Sequence, residues 1–223
     1  MDYRFLAETL ALKPPLFRAM LDFNRDMAAS PPEELSRLGT PVATLWNDPA
    51  FRRAWPSRKS GGQGYWNFSE DSQRLVLLPS DTVTRLCLFF SAAVHAEEIA
   101  RVIAREQVLE LREVLGADIV SYALKRGRYQ IRGLRAILLV PPSFGTLPQR
   151  LEALAIAAPR LISEEWPDEL RHLALSRHLL GEDSTIKDMF MPPLEREQRR
   201  ALWFTMKKIL LREVAPQWAP CFD

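Results

Sequence analysis

Histidine and cysteine are scarce in this chain, which limits the catalytic sites, metal sites and disulfides that it can form. The 223 residues include three histidines and two cysteines. Cys87 lies in an apolar stretch and Cys221 is third from the end, so the regular cysteine spacing of a disulfide framework is missing. We therefore expect a reducing compartment and a buried thiol at Cys87.

The sequence also lacks an apolar run long enough to cross a membrane, which takes about 20 residues. Two uncharged stretches come nearest. Residues 86–96 are bounded by Arg85 and Glu97, and residues 136–149 are interrupted by three prolines. No export signal is visible at the N-terminus. We expect a soluble, cytoplasmic protein without direct membrane insertion.

An excess of one charge is missing as well. The chain has 30 basic and 28 acidic residues, which gives a net charge of +2, and the two signs are interspersed. A protein that binds nucleic acid needs a basic face that releases counterions from the phosphates. We therefore expect no nucleic-acid partner.

Apolar residues, 47% of the chain, recur mostly at the three- and four-residue spacing of helices. This pattern predicts an all-α (mainly helical) protein with a single globular domain over residues 1–223 and about seven to nine helices. Residues 137–140 leave one short strand pair possible, because so short an apolar run fits a strand or a buried helical turn. A flexible loop is expected near residues 56–65, which hold three of the nine glycines.

The strongest helical signal lies in the centre of the chain. Ser80 or Asp81 is placed to cap a helix that we predict to run to about Ala104, with a first half that is apolar on all sides and therefore buried. Another helix follows, for which Gly127 is the predicted stop. The last helix is expected to begin after residues 192–193 and to end at Pro216.

Two partial motifs were considered for catalysis or metal binding. His95 and Glu97 match the first half of a zinc-deaminase pattern, whose cysteine pair is missing. Glu169 and His172 have the spacing of one half of a di-iron site, and no second copy exists. The simpler interpretations are a histidine beside a buried helix and an exposed, charged helix face. We expect no catalytic, cofactor or metal site, and hence no enzyme.

The candidate residues are therefore contacts for a protein partner. Trp55 and Trp66 flank the predicted loop, and aromatic side chains are enriched at interface centres, although each can simply fill a gap between helices. Lys207, Lys208 and Arg212 on the last helix can meet an acidic partner or a membrane surface. They can equally form a solvated face, because acidic residues are interleaved with them.

Two stretches resemble a known family. Residues 85–103, RLCLFFSAAVHAEEIARVI, and residues 207–218, KKILLREVAPQW, are similar to the SctK (YscK-like) accessory proteins of the bacterial type III secretion sorting platform. In that family a central apolar helix runs into a His/Glu-Ile-Arg segment, and a lysine-bearing C-terminal helix closes on Val-x-Pro. The resemblance covers about 30 residues, and the chain length also fits.

The resemblance implies a non-enzymatic cytoplasmic adaptor of the injectisome. Such proteins link the cytoplasmic domain of the inner-membrane ring protein (SctD-like) to the pod protein (SctQ-like), at the cytoplasmic face of the bacterial inner membrane. The alternatives left open are another helical interaction protein, a secretion chaperone, and an enzyme with an unrecognised helical site. Secretion chaperones are usually smaller and acidic, unlike this chain.

Overall fold

The computed structural model describes residues 3–29, 64–131, 133–176 and 192–222. All regular secondary structure in these ranges is helical, and no strand occurs there. The predicted all-α class is therefore confirmed for the described part of the chain. Its contacts group into two compact units, Met1–Leu77 with Pro220–Asp223 and Leu78–Ala219. A single domain over residues 1–223 stays a prediction.

Twelve α-helical segments occur within the described ranges, seven of them with nine residues or more. They are α1 (Tyr3–Leu12), α2 (Pro14–Ala29), α3 (Ser80–Val94), α4 (Ala96–Arg101), α5 (Arg105–Leu115), α6 (Ala117–Tyr122), α7 (Arg128–Gln130), α8 (Arg135–Leu138), α9 (Leu147–Ser163), α10 (Asp168–Ser176), α11 (Arg196–Ile209) and α12 (Ala219–Phe222). Short 3₁₀ helices span Asp71–Leu77, Pro142–Phe144 and Pro216–Trp218. Two π-helical segments, Ala123–Gly127 and Leu210–Val214, continue α6 and α11.

The first unit is built around α2 and the 3₁₀ helix Asp71–Leu77. Leu16, Met20 and Phe23 on α2 are buried at helical spacing, and the Phe23 ring meets Phe68 edge-on at 5.6 Å. The buried guanidinium of Arg74 donates to the carbonyl oxygen of Phe68 at 3.1 Å. It also donates to the carbonyl oxygen of Cys221 at 2.9 Å and therefore holds the C-terminal residues in this unit.

The second unit is built around α3. One side of α3 packs against α9, and it also contacts α6, α11 and both π-helical segments. Apolar residues cover most of the circumference of α3, so the helix is buried on most sides. Its buried side chains include Val83, Leu86, Cys87, Phe89, Phe90 and Val94. Burial of Cys87, at 3% exposure, is thereby confirmed.

The boundaries of α3 differ from the prediction at both ends. Pro79, in extended conformation, occupies the N-cap position, and Ser80 is already helical. The predicted continuation to Ala104 is wrong, because the α-helix stops at His95 with φ −92° and ψ 12° and a separate helix, α4, begins at Ala96. The His95 ring lies 3.0 Å from the carbonyl oxygen of Ser91, so the turn brings the imidazole back onto α3.

Gly127 does not stop its helix, contrary to the prediction. Its φ of −55° and ψ of −46° are helical, and the π-helical turn carries the chain on to Gln130. A break comes earlier, at Gly116, whose φ of 93° is costly for residues with a side chain. Residues 137–140, which the sequence left ambiguous, begin with the end of α8 and contain no strand.

One further boundary agrees with the prediction. The helix that was predicted to end at Pro216 is α11, whose π-helical continuation stops at Val214. Contrary to the prediction, it is not the last helix, because Pro216–Trp218 and α12 follow it. Leu202, Met206 and Ile209 on α11 are fully buried, as the apolar stripe predicts. None of the helices within the described ranges combines the length and apolarity that a bilayer crossing requires.

Candidate interaction surfaces

Trp66 is half-buried in the first unit. Its ring lies 6.4 Å from the ring of Phe17, centre to centre, at an angle of 33°. Trp55 and residues 56–63 of the predicted loop lie outside the described residues. The loop ends at Tyr65, which is buried and meets Phe68 edge-on at 5.1 Å. Trp66 therefore has a packing role in this unit, whatever else it contacts.

The three basic candidates lie at the C-terminal end of α11 and in its π-helical continuation. Lys207 is half-buried, whereas Lys208 and Arg212 are exposed. The Lys208 ammonium lies 4.3 Å above the centre of the Phe204 ring, and Phe204 is itself 58% exposed. Arg212 belongs to the second π-helical segment. This end of the helix thus presents two cations and an aromatic ring to solvent.

His95 and Glu97 do not form a common site. His95 is fully buried, and its Nε2 atom finds no partner among the described residues. Burial lowers the pKa of His95, so the imidazole stays neutral near pH 7. Glu97 instead points outward and pairs with Arg135. The deaminase half-motif therefore separates into a core histidine and a surface carboxylate.

A buried ion pair adjoins His95. Arg150, only 6% exposed, donates to Glu98 at 2.6 Å and to the carbonyl oxygen of Val140 at 3.2 Å. These contacts tie α9 to α4 and to the segment after α8. The Oε1 atom of Glu98 and the Nε atom of Arg150 find no partner within the described ranges. The arrangement fixes the geometry of three elements at a high desolvation cost.

Glu97 pairs with one arginine and is influenced by the charges of two others, which lie on different elements. Arg135 of α8 forms the ion pair, and the charges of Arg101 on α4 and Arg128 on α7 act on the same carboxylate. Together they hold the pKa of Glu97 below its ordinary value, chiefly through the Arg135 hydrogen bond. With the neighbouring Tyr129, these residues form what we call the arginine surface.

The arginine surface was not predicted from the sequence. Residues 125–135 hold five cations and no acid, a signal that is also expected where cations compensate the dipole at the end of a helix. Convergence with Arg101, more than twenty positions earlier, is visible only once α4, α7 and α8 are placed.

An apolar groove of about 400 Å³ lies between α3, α5 and α9. Glu152 is the charged residue of its lining, and the neighbouring Val114 is 55% exposed. Most of the groove is formed by apolar side chains and a thiol: Val83, Cys87, Leu88, Leu115, Ala155 and Pro159. Burial raises the pKa of Cys87 to about 12, so this thiol is not a nucleophile near neutral pH.

The di-iron half-motif lies on an exposed face of α10. Glu169 and His172 are both exposed, and His172 borders a shallow depression of about 250 Å³. In the described portion of the chain, no group of three or more His, Cys, Asp or Glu side chains is arranged to hold a metal ion. The described surface therefore includes two cationic areas and an apolar groove.

Comparison of the chain with protein-family models, with curated proteins and with solved structures finds no match.

Proposed function

We propose that this protein is a non-enzymatic adaptor of the bacterial type III secretion injectisome. In this role it links the cytoplasmic domain of the SctD-like inner-membrane ring protein to the SctQ-like pod protein of the sorting platform. It acts at the cytoplasmic face of the inner membrane and needs no cofactor. The proposal starts from the SctK resemblance of residues 85–103 and 207–218.

One observation carries the proposal further than the resemblance alone. The two stretches are separated by more than 100 positions in the sequence, and they pack against each other in the second unit. The first contains most of α3 and all of α4, and the second contains the end of α11 and the following π-helical segment. Both α11 and this segment contact α3. The resembling residues thus form one packed element of the fold.

The exposed end of α11 supplies a candidate contact. Lys208 and Arg212 are exposed, and the Lys208 ammonium lies over the Phe204 ring. Aromatic residues and arginine are enriched at interface centres. The surrounding backbone is anchored, because Ile209 and Leu210 are fully buried. Substitutions at the two cations should therefore change binding with little effect on folding.

The test is co-expression of the full chain with the pod protein and the ring protein's cytoplasmic domain, followed by size-exclusion chromatography with light scattering. We expect a binary or ternary complex. The double variant Lys208→Glu and Arg212→Glu should weaken one of the two contacts. Its matched control is Arg105→Glu with Arg112→Glu, an equal charge reversal at two exposed positions of α5.

Elution of the wild-type chain alone at micromolar concentration, beside two folded partner proteins, would reject the adaptor function. If the double variant of Lys208 and Arg212 still forms the complex, the adaptor function stands, but this end of the helix is not the contact.

A further inference from the structure

The arginine surface has more positive charge than its own acids balance. Arg101 and Arg128 are exposed, and neither forms an ion pair with an acid in the described part of the chain; Glu97, which both influence electrostatically, is already bound by Arg135. The charges of three guanidinium groups therefore act on one carboxylate, which is paired with Arg135 alone. An arginine fork binds carboxylates in bidentate geometry, so Arg101 and Arg128 each keep N–H donors for an incoming acid.

Several contacts hold Arg128 and the turn before it in place. Arg128 donates to the hydroxyl of Tyr129, and its guanidinium carbon lies 4.5 Å above the ring of that residue. The adjoining π-helical turn is fixed by Gly127 against Ala93 and by the pair of Arg126 with Glu213 at 2.9 Å. π-helical turns of this kind occur frequently at functional sites. Less side-chain entropy is lost on binding when the cations are ordered beforehand.

The negative charge of Glu97 disfavours some anionic partners of the arginine surface more than others. Glu97 stays ionised because Arg135, Arg101 and Arg128 lower its pKa. A continuous array of phosphates, as on nucleic acid or a lipid bilayer, would bring negative charge onto Glu97 as well as onto the arginines. A peptide can place carboxylates on Arg101 and Arg128 while a backbone N–H or a hydroxyl faces Glu97.

We infer that the arginine surface binds an acidic segment of a partner protein, with one carboxylate on Arg101 and another on Arg128. Tyr129, which is 53% exposed, provides the apolar contact beside them. This inference rests on the proposed adaptor function, since it names the chemistry of one of the two partners. It concerns residues other than Trp66, Lys208 and Arg212.

The direct test uses the full chain and a fluorescent peptide of alternating Glu and Ser residues, followed by anisotropy at about 50 mM and about 300 mM salt. We expect salt-sensitive binding that falls at least tenfold, or about 1.4 kcal/mol, in the double variant Arg101→Glu with Arg128→Glu. The matched charge reversal Arg105→Glu with Arg112→Glu should bind the peptide far better than this variant. Circular dichroism confirms that each variant is folded.

Two further probes distinguish the other anionic partners. Vesicles with about one-third phosphatidylglycerol and single-stranded oligothymidine are titrated in the same way. Equal loss of peptide binding in both double variants would overturn the inference, as would vesicle or oligonucleotide binding that depends on Arg101 and Arg128 without peptide binding. If charge reversal destabilises the chain, Arg101→Gln with Arg128→Gln replaces it, and retained peptide affinity again overturns the inference.

The same variants separate this inference from the adaptor function. A wild-type complex with the pod or ring protein that persists in the Arg101 and Arg128 variant would leave the adaptor function standing and reject the surface as its contact. If the peptide binds through these arginines but no complex forms with the pod or ring protein, the site for an acidic segment stands and the proposed partners are rejected.

Discussion

Gly127 and Ala93 meet where the first π-helical segment crosses α3. A Cβ atom on residue 127 would lie 2.9 Å from the Cβ of Ala93 and 3.1 Å from its Cα. The opposing atoms belong to the backbone or are attached directly to it, so a flexible side chain cannot move aside. The contact brings the π-helical segment directly onto the central helix and explains why glycine occupies a position with ordinary helical angles.

The substitution Gly127→Ala should therefore lower the free energy of unfolding by about 1–3 kcal/mol, because the two helices must separate to accept the methyl group. Urea unfolding measures the change. Gly133→Ala is the matched control, since a Cβ there has no neighbour within 4 Å, and it should cost less than about 0.5 kcal/mol. Equal effects at both positions would contradict close packing at Gly127.

Burial of His95 should make stability depend on pH. Its pKa is lowered from 6.5 by desolvation, so the unfolded chain takes up a proton before the folded protein does. His95 therefore leaves stability unchanged well above pH 6.5 and reduces it as the pH falls below that value. Glu97 and Asp168, whose pKa values are lowered from 4.5 and 3.8, add their own loss of stability only in more acidic solution.

The variant His95→Gln removes the titrating group and should flatten the decline that begins near pH 6.5. Thermal unfolding of both proteins between pH 7.5 and pH 5, a range set by the ordinary pKa of histidine of about 6.5, provides the comparison. The charged groups facing His95 are Glu98, Arg150 and Arg135. An unchanged slope in the variant would assign the pH dependence to other groups.

Removing one partner of the Arg150–Glu98 pair should lower the free energy of unfolding strongly, whereas replacing both partners by apolar residues should lower it much less. Arg150→Met leaves the partly buried Glu98 without its cation, and we expect a loss of about 3–5 kcal/mol in urea unfolding. The double variant with Glu98→Leu should recover much of that loss, because no unpaired charge remains. Arg4→Met breaks the exposed Arg4–Glu8 pair and serves as the control, with an expected cost below about 1 kcal/mol.

Trp66→Ala should reduce stability by about 1–3 kcal/mol, since the half-buried indole packs on Phe17. Tyr129→Ala, at a side chain that is 53% exposed, should cost less than about 1 kcal/mol. Thermal unfolding of the two variants provides the measurement. An unchanged melting temperature for Trp66→Ala would show that the indole contributes little to packing, and would favour its use as a partner contact.

Much of the helical architecture follows from local signals. The apolar spacing of α2, α3 and α11 predicts buried faces that the structure confirms at Leu16, Leu86 and Met206. Prolines mark the break after α1 and the end of the π-helical continuation of α11 for the same local reason, since proline lacks the backbone donor. Helix boundaries set by side-chain contacts were predicted less well, as at His95 and Gly127.

The candidate sites also differ in whether one segment of sequence is enough to predict them. Lys208 and Arg212 were identifiable because both lie on one amphipathic helix, whose exposed face can be read from its spacing. The arginine surface was not, because Arg101, Arg128 and Arg135 come from three short helices. The apolar groove likewise needs three helices, of which α5 and α9 are about 30 positions apart.

The sequence by itself determined the helical class, the absence of a long apolar run, and the burial of Cys87, because each depends on composition or on spacing within one segment. Tertiary structure alone decided that α3 ends at His95, that Gly127 lies against Ala93, and that Glu97 pairs with Arg135 under the influence of two further arginine charges. Those features depend on distances between residues far apart in the chain, and helical periodicity carries no information about such distances.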